Sequence, residues 1–267
     1  MFKSTLLTIV SAATLLVPAF AADGTTLINQ STVMAGGGFP YHITQSGSYR
    51  LSGNLVATGG AMIISAANVT VDMNGFTISC ASNCANLGVS STATGTTLMN
   101  GSVTGFAGGT AINFTTSASK VDHVNASGSG TGIQSGGDLI VTYCNVSNNT
   151  YGVVVQASNL TLLSSAVSAN AQDGVDVFSG LINGNTISGN GSGGTNIRGG
   201  ILLWGGAVNI INNSITGNAV FGIAKESPGS SATAGYGLNT FGGNAADVGS
   251  GAATSMNNNV CGGGNGC

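Results

Sequence analysis

Charge is scarce in this chain of 267 residues, which holds 5 Lys+Arg and 8 Asp+Glu for a formal net charge of −3. Without clustered cations it has no electrostatic footprint for nucleic acid or for an anionic membrane surface. The 2 His, His42 and His123, are remote from the cysteine pairs, which argues against a Cys/His metal centre. No period-3.6 pattern appears beyond the first twenty or so residues, so amphipathic helices are not expected. Disorder is excluded as well, because a 42% hydrophobic fraction with little net charge can supply a core.

The chain opens with Lys3 ahead of an apolar run that closes on Ala19-Phe20-Ala21, the small-x-small spacing of a secretory cleavage site. Residues 1–21 are therefore read as a signal peptide. The run is short for a membrane anchor and contains Pro18, and no later segment is long and apolar enough to span a bilayer. A secreted or periplasmic monomer is expected. Its cysteines fit an oxidising compartment: Cys80 pairs with Cys84, Cys261 with Cys267, and Cys144 is left as a small buried residue.

The positive signal is repetition. "NTISGN" begins at Asn185, "NSITGN" at Asn213 and "NTFGGN" at Asn239. Extending the alignment gives apolar pairs Val71/Phe76, Leu98/Val103, Val121/Ala126, Val141/Val146, Leu162/Val167, Ile182/Ile187, Ile210/Ile215 and Tyr236/Phe241. First members are 27, 23, 20, 21, 20, 28 and 26 residues apart, a spacing that points to stacked rungs. Before each pair a small residue opens an alternating strand, as in "GVVVQ" from Gly152, "GVDVF" from Gly174 and "GILLW" from Gly200. No rung can bury its apolar side alone, so parallel stacking about 4.8 Å apart is required. Columns of Asn at the hexapeptide ends then form amide ladders that set register.

The reading is an all-β, single-stranded, right-handed parallel β-helix of about eight rungs. Residues 22–60 would be an N-terminal cap, 61–250 the helix, and 251–267 a Gly/Asn-rich tail closed by a disulfide.

The stretches "YHITQSGSYRLSGNL" from Tyr41 and "AMIISAANVTVDMNGFTISC" from Ala61 resemble secreted bacterial proteins with parallel β-helix repeats in the pectin-lyase-like superfold. That resemblance implies a site on the outward face of the strand after each small residue. Outward positions there, and residues just before the strands, include Gln134, Tyr151, Gln156, Asp176, Phe178 and Trp204. Aromatic rings can cover pyranose faces while amides and carboxyls bond hydroxyls, so these six are the candidate polysaccharide ligands.

Candidate catalytic residues are Asp173, Asp176, Arg198 and Glu226. Asp176 and Glu226 fall two rungs apart, at or beyond the carboxyl spacing of a glycosidase. The Asp-Asp and Gly-His-Gly motifs of polygalacturonases, the acidic cluster of pectate lyases and the Asp-Pro-His-Asp of alginate epimerases are missing. Asp122-His123 is an acid-base dipeptide, but neighbours in a strand face opposite sides unless the chain bends. Three functions follow: a binding module for an extracellular polysaccharide, a polysaccharide lyase or glycoside hydrolase with a non-standard site, or a structural or adhesive rod. The first is preferred. Losing Lys3 with the leader takes the charge from −3 to −4, which favours a neutral glycan over a polyuronate. No cofactor is called for, and calcium is not excluded.

Overall fold

The computed structural model describes residues 24–82, 84–193, 199–227 and 230–262. Residues 1–21, read above as a signal peptide, and Arg198 and Cys267 lie outside them.

Each rung runs through three short strands separated by two sharp corners, and every strand pairs in parallel with its counterparts one rung away. The first face holds, among others, Thr131–Ser135, the start of Tyr151–Leu163, the start of Val175–Asn183, and Gly199–Leu203. The second face continues through Leu139–Thr142, the ends of those two long strands, and Ala207–Ile211. The third carries the hexapeptides, as in Thr186–Ser188, Ser214–Thr216 and Thr240–Gly242. The result is an all-β parallel solenoid of about ten rungs, more than the eight read from the hexapeptides. One extra turn arises at the carboxyl-terminal end, where Ala246–Val248 and Thr254–Ser255 stack on the last rung, and another at the amino-terminal end, where Tyr41–Ile43, Gly47–Leu51 and Leu55–Ala57 already form a rung in register with the next. Lacking the Asn signature, it escapes a search keyed on it.

A short helix, Gln30–Ala35, closes that end. Asn29 caps it by accepting the Thr32 amide at 3.0 Å, while the Thr32 hydroxyl accepts the Asn29 amide at 2.9 Å. Val33 on its inner side is fully buried.

Inward residues of all three faces merge into one apolar column. Ile182, Ile187, Ile210 and Ile215 are completely buried, as the pair pattern requires. One pair is corrected. Val71 is followed inward by Ile78, not Phe76, because Asn74-Gly75 lengthens the corner and leaves Phe76 only half-buried.

The corner between second and third faces holds its residue in the left-handed region whatever its type. Successive rungs place Asn100, His123, Tyr143, Ser164, Gly184, Asn212 and Leu238 there, with φ from 49° to 70°. The next residue points inward, and from Asn185 onward it is Asn. The Asn185 amide nitrogen Nδ2 donates to Asn213 Oδ1 at 2.9 Å, Asn213 to Asn239 at 3.0 Å, and Asn239 to Asn259 at 3.2 Å. A second ladder lines the other corner, from Asn149 through Asn170, Asn190 and Asn218 to Asn244. Asn74 departs from the expected column: it is itself left-handed and exposed.

The ladders also explain the small residue that opens each first-face strand. A Cβ on Gly152 would sit 2.2 Å from Gly174 O and 2.9 Å from Asn170 Nδ2. The carbonyl of the next rung, with the ladder amide beside it, occupies the space that a side chain would need.

Candidate functional site

First-face parity is as the alternation predicts. Ile133, Val153, Val155, Val175, Val177 and Leu203 point into the core, all fully buried. Asn113, Gln134, Val154, Asp176, Leu202 and Ala224 form one outward column in continuous register.

Over four rungs this face carries a pocket of about 330 Å³ lined by Thr131, Gln134, Tyr151, Val154, Gln156, Asp176 and Trp204. Gln156 Nε2 donates to Asp176 Oδ2 at 3.0 Å, fixing the carboxyl at the pocket floor. Gln134 accepts from the Thr110 hydroxyl at 3.5 Å and is otherwise turned to solvent. Trp204 is half-buried, and its indole Nε1–H has no hydrogen-bond partner among the described residues.

Five of the six candidate ligand residues therefore come together, and Phe178 does not. Its ring stays exposed and lies beside the Gly205-Gly206 corner outside the pocket, where a Cβ on Gly205 would lie 2.6 Å from Phe178 Cε2. Thr131 joins the pocket without having been singled out. Its register with Tyr151 was the available signal.

No family model, curated protein or solved structure matches the chain.

The catalytic candidates do not assemble a carboxyl pair. Asp173 is buried before its strand and accepts the Gly199 amide at 3.1 Å. Asp176 stands opposite Leu202 and then Ala224, so Glu226 is two rungs and two residues away. That is about 12 Å between backbones, beyond the roughly 5–9.5 Å that a glycosidase pair spans. Asp176 is the one carboxyl among the described residues lining the pocket. Arg198 lies outside the described residues.

Asp122-His123 is a different matter, because the corner supplies the bend. With His123 at φ 52°, its Nδ1 comes within 3.1 Å of Asp122 Oδ1, and Lys120 Nζ within 3.3 Å of Asp122 Oδ2. The imidazole stacks on Tyr143 with ring centroids 4.8 Å apart. Burial pushes the Asp122 carboxyl upward, but the Thr142 hydroxyl, Lys120 and His123 outweigh it and hold the group below its usual range. The cluster sits on the second face, away from the pocket. Beneath it Cys144 is buried, and loss of hydration pushes its thiol up to about 11, so it stays protonated and inert.

The Cys80–Cys84 disulfide is present. The second expected bridge involves Cys267 and falls outside the described residues. Among those residues no three His, Cys, Asp or Glu side chains gather as metal ligands, and no helix is long and apolar enough to cross a membrane.

Proposed function

We propose that the protein is a secreted, monomeric binding module that holds a neutral extracellular polysaccharide in the first-face pocket. It would be a relative in kind of the pectin-lyase-like β-helix proteins, without their catalytic groups. The observation that carries this reading is one concave site joining two aromatic rings, two amides and a carboxyl. Rings of this type cover the apolar face of a pyranose, and the polar groups match its hydroxyls. The volume falls near the lower end of the roughly 300–1,000 Å³ typical of small-ligand pockets, which suits one or two sugar rings per site.

The test is retention of the mature chain on neutral and acidic polysaccharides, with and without calcium, while scoring reducing ends and unsaturated products. Retention without products is expected. Trp204→Ala removes the ring that would cover a sugar face, so affinity should fall about two- to tenfold, the equivalent of about 0.5–1.5 kcal/mol. New products, or retention indifferent to Trp204, would reject the reading.

A further inference from the structure

We infer that the third face is an ice-binding surface. The inference is independent of the first-face pocket and concerns a second ligand, crystalline water. It rests on a two-rank lattice of small polar groups that neither the core nor the pocket uses.

Each third-face strand turns one residue inward and the residues on either side of it outward. From Thr77 to Gly242 eight successive rungs read TIS, SVT, NAS, NVS, AVS, TIS, SIT and TFG, with register kept at every step. The central residue is buried in each. Apart from Ala166 and Gly242 the outward positions are all Ser, Thr or Asn, and only Ser147 among them is buried. The hydroxyls of Ser168, Thr186, Ser188, Ser214, Thr216 and Thr240 have no hydrogen-bond partner among the described residues. Each hexapeptide also sets a ladder Asn on both sides of its triplet, so the ranks from Thr186 onward are pinned at both edges. The corner residue after the second rank is Gly, Asn or Ala in every rung from Gly105 to Gly243, so no long side chain overhangs that edge.

The chemistry of the face narrows the ligand. None of its outward residues is charged, so an ion finds no counter-charge there, and none is aromatic, so a pyranose finds no ring to cover its apolar side. A protein partner would want an apolar centre, which these positions do not supply. Uncharged hydroxyls at a fixed repeat match water in a fixed lattice. Tetrahedral water with O–H···O bonds of about 2.75 Å repeats at about 4.5 Å within its layers and at about 7.3 Å along the hexagonal axis. The rungs repeat at about 4.8 Å, and the two ranks, two residues apart on a strand, stand about 6.6 Å apart. Over the seven steps between these eight rungs the mismatch along the stack accumulates to about 2 Å, under half a lattice repeat, and freely turning hydroxyls take up part of it. The prism planes of ice present both repeats, so they are the planes this face fits.

The test grows a single ice crystal in a dilute solution of the full mature chain carrying an amino-terminal fluorophore. Fluorescence frozen into the prism planes is expected, together with slowed recrystallisation of polycrystalline ice. Ser188→Tyr raises a ring above the middle of the lattice and should abolish adsorption with the melting temperature unchanged. Thr161→Tyr, the same kind of change at an outward position of the second face, should leave adsorption intact. Exclusion of the unmodified chain from the growing crystal would overturn the inference, with no variant involved. Equal loss in the two variants would overturn the assignment to the third face, and adsorption on the basal planes alone would overturn the lattice match. Retention on a polysaccharide is read separately, so failure here leaves the pocket reading intact.

Discussion

Replacing Asn190 by Ala should be among the most damaging single changes outside the apolar core. The Asn190 side chain makes four buried hydrogen bonds. Its Oδ1 accepts the Asn170 backbone amide at 3.1 Å and Asn170 Nδ2 at 2.9 Å, and its Nδ2 donates to Val167 O at 3.1 Å and Asn218 Oδ1 at 3.0 Å. At a net 0.5–1.5 kcal/mol each, the four sum to about 2–6 kcal/mol. The other route to the magnitude agrees. Asn170 Nδ2 keeps Val146 O, but the Asn170 backbone N–H and the second Nδ2 proton lose their partners in a dry interior. Two orphaned groups cost about 2–6 kcal/mol. Against a typical total of about 5–15 kcal/mol, this is a large share. The assay is equilibrium urea unfolding followed by circular dichroism, with Asn145→Ala as the control. Asn145 is exposed on the third face and should change stability by under about 0.5 kcal/mol. A loss below about 1 kcal/mol for Asn190→Ala, or one no larger than the control, would refute the claim that the ladder holds the rungs in register.

Two glycine changes should separate crowding from backbone strain. Gly152→Ala drives a Cβ against Gly174 O and Asn170 Nδ2 and should abolish folding or cost several kcal/mol, whereas Gly189→Ala, at φ 64° with nothing nearer than 3.9 Å, should cost only about 1 kcal/mol; melting temperatures decide. Asp122 should make stability acid-sensitive. Its folded carboxyl titrates below its unfolded value, so the contribution is full above the ordinary carboxylate range and disappears as pH falls through the folded value. The stability gap between wild type and Asp122→Asn should therefore shrink on going from pH 7 to about pH 3, and a gap constant with pH would show that the cluster is not ionic in origin.

The architecture was legible because its constraints repeat. Each inward pair and each corner Asn is written again every rung, so Ile182/Ile187 and Ile210/Ile215 could be placed by alignment alone. Outward parity followed from inward parity, which is why Gln134, Gln156, Asp176 and Trp204 could be named before the pocket was seen, while Tyr151 was named from its place at the start of a strand. What resisted was whatever occurs once. The first rung has no Asn column to betray it. The corner at Asn74-Gly75 carries more chain than the corners that follow it, which moved the inward residue from Phe76 to Ile78. The left-handed φ of His123 is set by its place in the corner, and a histidine gives no hint of it. Phe178 was assigned to the ligand face by parity and is outward and exposed, but its ring leans toward the corner at Gly205 and Gly206 and away from the pocket, and the position of that corner is not visible in the sequence.

Both amide ladders point the same way, each Nδ2 reaching for an oxygen in the following rung. Such a series can be lengthened or shortened by whole units, because every unit presents the same acceptor behind it and the same donor ahead. Only the last unit needs a distinct partner, and here Asn244 Nδ2 meets Asp247 Oδ1 at 3.1 Å while Asn259 Nδ2 turns back to Ser255 Oγ at 3.2 Å. Those two residues act as stop signals for the stack. Duplication or loss of an internal rung would leave them untouched, so the length of this fold can drift by gene rearrangement while its ending stays the same.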